Sequence, residues 1–203
     1  MKISLSSLEE AMKNPRAFLK AQKRPKTGFR YSRYLVLRGV ALAYHAQNDL
    51  RISEALLETR LAQKFKNTKG NDECVEQLRE YVAEFISLGT TVAKVRNRVH
   101  AVLPEEYKDY SITGEVARLD LHPEGGYRAW LFSNRTDAWA DEIRFPVLQG
   151  ACAAQLNVDI DEVVPGVYDF STSSYTEVRS SKKDILAAGR RLNKFLDELK
   201  RIR

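Results

Sequence analysis

The chain has 203 residues, of which 43% are hydrophobic and 30% charged, with a formal net charge of +6. That balance suits a soluble globular protein of one domain, or one domain with an appendage. No apolar run approaches the ~18 residues of a membrane helix, and "MKISLSSLEEAMKNP" has no apolar signal-peptide core, so a cytoplasmic protein without a membrane partner is expected. Cys74 and Cys152 show no metal-ligand spacing and read as two ordinary thiols.

The charge is unevenly spread. Ala11 to Asn48 contains no acid and nine bases: Lys13, Arg16, Lys20, Lys23, Arg24, Lys26, Arg30, Arg33 and Arg38. Arg179 to Arg203 carries nine bases against three acids, whereas Asp49 to Val178 carries 14 bases and 22 acids. Basic ends thus flank an acidic centre. Folded together, such ends would make a rim for phosphate, because clustered Lys and Arg release counterions from nucleic acid. The alternative is a set of solvated helix faces.

In chain order, "SSLEEAMKNPRAFLKAQ" opens with Ser6-x-x-Glu9 and Ser7-x-x-Glu10, either of which could form a capping box. Pro15 must kink or restart that helix. "KRPKTGFR" reads as a linker. "YSRYLVLRGVALAYHAQN" predicts a buried apolar helix, and Ser53 could cap "EALLETRLAQKF". Val75, Leu78, Val82, Phe85, Val92, Val95 and Val99 recur at three, four and seven residues, predicting one helix that Pro104 ends. After Lys108 the pattern turns to strands. "YSITGEVARLDL" and "YRAWLFSN" flank the turn "HPEGG", a helix is expected from Pro146, "EVVPGVYDF" and "SYTEVRSS" predict two more strands, and Ser181-x-x-Asp184 could cap a last amphipathic helix. The expected organisation is a helical region, 1–108, packed on an α/β core, 109–203, in one compact domain.

The hairpin raises the question of chemistry. Asp120 lies on its first strand and Ser133 and Arg135 on its second, the latter two facing the same way. Asp120 and Ser133 are 13 residues apart, and the turn between them lets the strands pair with those positions close together. A divalent-metal nuclease needs two acids on adjacent strands to hold the ion, and a lysine two residues after the second acid to position water and offset phosphate charge.

"RLDL" and "LFSNRT" resemble the hairpin of the PD-(D/E)XK nuclease superfamily, in particular its RecB-like branch, which includes CRISPR-associated exonucleases. The resemblance makes Asp120 the first aspartate, Ser133 the replaced second acid and Arg135 the replaced lysine. "VLQGACA" is similar to the helix after the family's hairpin, with Leu148 and Gln149 matching and Ala153 where a tyrosine is usual. "SLSSLEEAMKNPRAFL" resembles the family's opening motif with Asn14 at its cysteine position, which implies no iron–sulfur cluster. "LRGVALAYHAQND" resembles the helix that brings a metal-binding histidine, His45, two residues further from Gly39 than the family places it. The resemblance therefore implies a restriction-endonuclease-like core, a mixed sheet flanked by helices with an N-terminal helical region.

The departures from the motif bear on mechanism. Serine is a poor Mg²⁺ ligand, and arginine keeps the charge of lysine but not its proton chemistry, while its planar fork suits phosphate. Asp120, Ser133 and Arg135 then grip a phosphate backbone better than they cut one. The expectation is a pseudonuclease without a cofactor that binds DNA or an acidic protein surface, alone or within a larger complex, with Lys20, Lys23, Arg24, Lys26, Arg30, Arg33 and Arg135 along its approach. One alternative is an active Mg- or Mn-dependent nuclease that restores the metal site from Asp120, His45, Asp137, Asp141 and Glu142, although Asp137, Asp141 and Glu142 also read as an acidic helix start. Another is an inhibitor or assembly subunit that uses the fold as a scaffold. His45 also reads as a hydrogen-bonded core histidine. His100 and His122 have no obvious partner in sequence. Trp130 and Trp139 read as core or rim aromatics, with Trp139 a candidate for base stacking.

Overall fold

The computed structural model describes residues 1–23, 32–66, 68–134 and 141–202. A six-stranded mixed sheet is flanked by helices. The elements run β1 (Lys2–Ser4), α1 (Leu8–Lys13), α2 (Pro15–Gln22), α3 (Arg33–Gln47), α4 (Leu50–Lys64), α5 (Thr68–Ser87), β2 (Thr91–His100), β3 (Ser111–Leu121), β4 (Tyr127–Ser133), α6 (Arg144–Leu156), β5 (Val163–Asp169), β6 (Ser174–Glu177) and α7 (Lys182–Ile202). The expected mixed α/β architecture is present.

Three expectations for the first 108 residues need correction. The helix read from Val75 to Val99 ends at Ser87, and Thr91–His100 is a strand. Gly89, at φ 61°, makes the break that a side chain would resist. Beyond it the buried positions are Asn97 and Val99, a period of two concealed by the polar Asn97. The stretch 1–108 is also not purely helical, because β1 and β2 both pair with β3. Pro15 does restart the helix, with Asn14 capping α2 through the amide of Ala17 at 3.0 Å. Asp49, not Ser53, caps α4; Ser53 lies inside the helix and bonds the carbonyl of Asp49.

Alternation along the strands divides the core. Leu119 and Ala129 join a cluster with Ile3, Val99, Ile112, Leu148, Leu192, Phe195 and Leu196, under α1, α6 and α7. On the other face Leu37, Val40, Leu57, Leu61, Leu78 and Tyr81 pack with Tyr168 and Phe170, under α3, α4 and α5. Gly166 of β5 lies beside Trp130 of β4, and a Cβ at 166 would run into the indole ring. The absence of a side chain there leaves room for the indole of Trp130, the largest of the fully buried side chains among the described residues.

The order of pairing on β3 matters for the site. β2 occupies one edge of β3 from Thr113 to Leu121, and Ala101 continues it by bonding Ile112. β1 (at 111–113) and β4 (at 118–121) must therefore share the other edge. Between them Gly114 to Ala117 has no strand neighbour on that side, so the sheet forks there.

Candidate functional site

The hairpin register separates the residues expected to act together. Gly125 and Gly126 take φ values of 96° and 75°, and the amide of His122 bonds the carbonyl of Gly126, closing a tight turn. That turn places Asp120 opposite Arg128 and Arg118 opposite Trp130. Ser133 lies five residues beyond Arg128, roughly 16 Å along the strand. The expected pairing of Asp120 with Ser133 is therefore not formed: thirteen residues of separation leave the choice of register to the turn, and this turn is too short for it. Ser133 instead pairs with Asp169 of β5, in parallel, so the two side chains share a face. Arg135 and Asp137 lie outside the described residues.

Asp120 is fully buried and already engaged. Both of its oxygens accept from Arg118 Nε, at 2.8 and 2.9 Å, and Oδ2 also accepts from Thr90 Oγ1 and Trp130 Nε1, each at 2.9 Å. Arg118, equally buried, donates from Nη1 to the Tyr81 hydroxyl at 2.7 Å, and that hydroxyl lies 2.5 Å from His45 Nε2. The guanidinium is enclosed by rings, with Phe85 4.4 Å, Tyr175 5.4 Å and Tyr81 5.6 Å from its carbon. Burial raises the Asp120 carboxyl above the ordinary carboxylate range, against the Arg118, Thr90 and Trp130 bonds that favour its charge. His45 is held neutral, its pKa pushed down to about 3 by burial and by the Arg118 charge. Asp120 and His45, two of the candidate metal ligands, thus belong to one hydrogen-bonded chain with a guanidinium at its centre.

The other candidates are dispersed. Asp141 is exposed, and Glu142 pairs with Arg144 at 2.5 Å. Among the described residues no three His, Cys, Asp or Glu side chains are grouped so as to hold a metal ion. Gln149 is buried and joins α6 to the start of α7: its amide donates to the carbonyls of Ile160 (3.0 Å) and Ser180 (3.2 Å), and its oxygen accepts from the Ser180 amide at 3.1 Å. Its reach toward a reacting group is spent on this tie. Gln149→Leu should cost about 3 kcal/mol in urea unfolding, since each orphaned buried group costs about 1–3 kcal/mol; an unchanged midpoint would return Gln149 to the candidate site.

Of the predicted basic approach, Arg24, Lys26 and Arg30 lie outside the described residues. Arg33 bonds Asn71 Oδ1 at 3.0 Å and stacks over Phe65, away from the Lys20 and Lys23 surface. Lys20 and Lys23 sit by the end of α7, where the basic ends of the chain do meet.

The sheet fork opens a pocket of about 570 Å³. Its walls bring together Lys2, Arg38, Arg98 and Arg144 with His100, and Leu131 and Phe132 of β4 line one side. The one carboxylate among its described lining residues, Glu115, is engaged by Arg38 at 2.6 Å. Arg144 is in turn paired with Glu142, so among the described residues Lys2 and Arg98 are the pocket's cations without an ion pair, and they make it attractive to anions. Sequence reasoning did not single out these residues, which come from β1, α3, β2 and α6; the acid-free stretch around Arg38 was the only signal.

Neither a family model nor a curated protein matches the chain. Among solved structures it is similar to the crystal structure of a "putative exonuclease" from Eubacterium rectale, with a TM-score of 0.52 and 11% identity over 99% of this chain and 79% of that one. The fold is nuclease-like. No helix among the described residues is long and apolar enough to cross a membrane.

Proposed function

We propose that this chain is a catalytically degenerate, RecB-like member of the PD-(D/E)XK fold that holds DNA, or a comparable polyanion, by its phosphates in prokaryotic or phage DNA processing or defence. The observation that carries this reading is the contrast between two sites on one nuclease-like sheet. The carboxylate of Asp120 is saturated by Arg118, Thr90 and Trp130, whereas the fork pocket presents Lys2, Arg38, Arg98 and Arg144. A divalent ion at Asp120 would have to displace a buried guanidinium whose charge already balances the acid. Arginine at the pocket grips phosphate oxygens through its fork and supplies no proton to a leaving group. Arg135, two residues past Ser133, is assigned a phosphate contact on the same chemistry.

The test is binding of labelled single- and double-stranded DNA across a salt series. Arg98→Glu, an exposed change, should weaken binding about tenfold and lower the salt slope by about one. Affinity that is the same in both proteins, or absent at low salt, would overturn the reading. A second reading, a Mg- or Mn-dependent nuclease with displaced acids, is favoured by Asp169 beside Ser133. Mn²⁺-dependent cleavage lost in Asp169→Asn would establish it in place of the first.

A further inference from the structure

We propose that the groove between α2 and the C-terminal end of α7 docks an acidic, amphipathic segment of a partner protein. This site goes beyond the phosphate-binding reading and shares no lining residue with the fork pocket. The groove is about 770 Å³, room enough for bulky anchor side chains. Its floor is apolar: Met1, Leu19 and Ile202, all half-buried, continue the cluster beneath the sheet. Its rim is cationic: Arg16, Lys20, Lys23 and Arg201 are all exposed.

Two further observations point to a ligand. No carboxylate is among the groove's described lining residues, and among the described residues Arg16, Lys20, Lys23 and Arg201 take part in no ion pair; Arg201 donates to the carbonyl of Asp197. Elsewhere the fold pairs its bases across elements, as in Arg38–Glu115, Arg79–Glu54 and Arg128–Glu177. Among the described residues, the α2–α7 surface thus sets unpaired cations around an apolar floor.

The arrangement of the two chemistries selects the occupant. A phosphodiester chain would satisfy the rim and leave the floor wet. A bilayer needs apolar groups that protrude, and here they lie behind longer basic side chains. An acidic helix or strand with one or two large apolar residues satisfies both, its anchor on Leu19 and Ile202 and its carboxylates on the rim.

The experiment is selection from a random peptide display library on the full chain, with counter-selection on the Lys20→Glu/Arg201→Glu double variant. Anisotropy is then measured with a labelled selected peptide. Enriched peptides are expected to combine acids with an apolar anchor. They should bind at least tenfold more weakly to the double variant and several-fold more weakly to Ile202→Ser, and equally well to Arg98→Glu. That last variant separates this site from the fork pocket. Thermal melts matching the parent confirm that the surface variants fold. The proposal is overturned by no enrichment over the double variant, or by acidic peptides indifferent to Ile202→Ser. It is also overturned if short DNA duplexes or phosphatidylserine vesicles occupy the groove more tightly than any selected peptide, with that binding abolished in the double variant.

Discussion

Asp120→Ala is expected to destabilise the protein by about 3–5 kcal/mol, the range for removing one partner of a buried ion pair. The substitution leaves the Arg118 guanidinium with no access to water. Among the described residues the loss of the two Nε bonds leaves the guanidinium the hydroxyl of Tyr81 and the surrounding rings, none of which carries a compensating charge. Thr90 and Trp130 lose their acceptor at the same time. Chemical denaturation checks the magnitude. The double change Arg118→Met/Asp120→Leu should cost clearly less than Asp120→Ala alone, because no unpaired charge remains inside. A metal-binding carboxylate would behave in the opposite way, since its removal relieves charge and commonly raises stability in the absence of metal. A stable Asp120→Ala protein would therefore restore Asp120 as a ligand candidate.

The second large effect is in acid. His45 is neutral in the folded chain, with its pKa pushed down to about 3, whereas an unfolded histidine titrates near 6.5. Above pH 6.5 both states are neutral and the full contribution to stability is present. As pH falls, the unfolded state takes up a proton that the folded state refuses. Stability should then drop by up to about 1.4 kcal/mol per pH unit, between roughly pH 6 and pH 3. His45→Gln keeps a polar group near the Tyr81 hydroxyl and removes the titration. The difference in unfolding free energy between parent and variant should slope by one proton over that window, with the carboxylates common to both cancelling. Parallel pH profiles would mean that His45 is charged or exposed. The same burial explains why His45 is a poor candidate metal ligand: its Nε2 is held by Tyr81, and its ring is edged by Phe85 at 4.7 Å.

Much of the fold was legible in the residues. Alternation in "YSITGEVARLDL" and "YRAWLFSN", the Gly125-Gly126 turn, Pro15 after Asn14, and Ser181 with Asp184 all mark elements that form as expected, because each signal is local. The misreading from Val92 to Val99 has a specific cause. Valines three and four apart fit a helix and also fall within a strand, and Asn97, buried at an inward position, breaks the apolar alternation that would have decided between them. The three residues of β1 are too few to show any period.

The candidate site was legible only in part. Ser133 and Arg135, at the positions where the resembled motif carries an acid and a lysine, are visible in the chain, as are the acid-free basic stretch and the basic tail. What the sequence by itself determined is the inventory and the local geometry: one buried-type carboxylate in the hairpin, no paired acid two residues before a lysine, and an excess of cations at both ends. Only the tertiary structure decided which groups meet. Strand register is set by a turn, and a shift of a few residues moves a side chain by several ångströms, so the chain cannot reveal that Asp120 faces Arg128 and leaves Ser133 to Asp169. Nor can it reveal that Arg118, two residues away on the same face, takes the carboxylate, or that a fork in the sheet gathers Lys2, Arg38, Arg98 and Arg144 from four separate elements. Those outcomes follow from long-range packing, where burial forces each charge to find a partner that local sequence does not name.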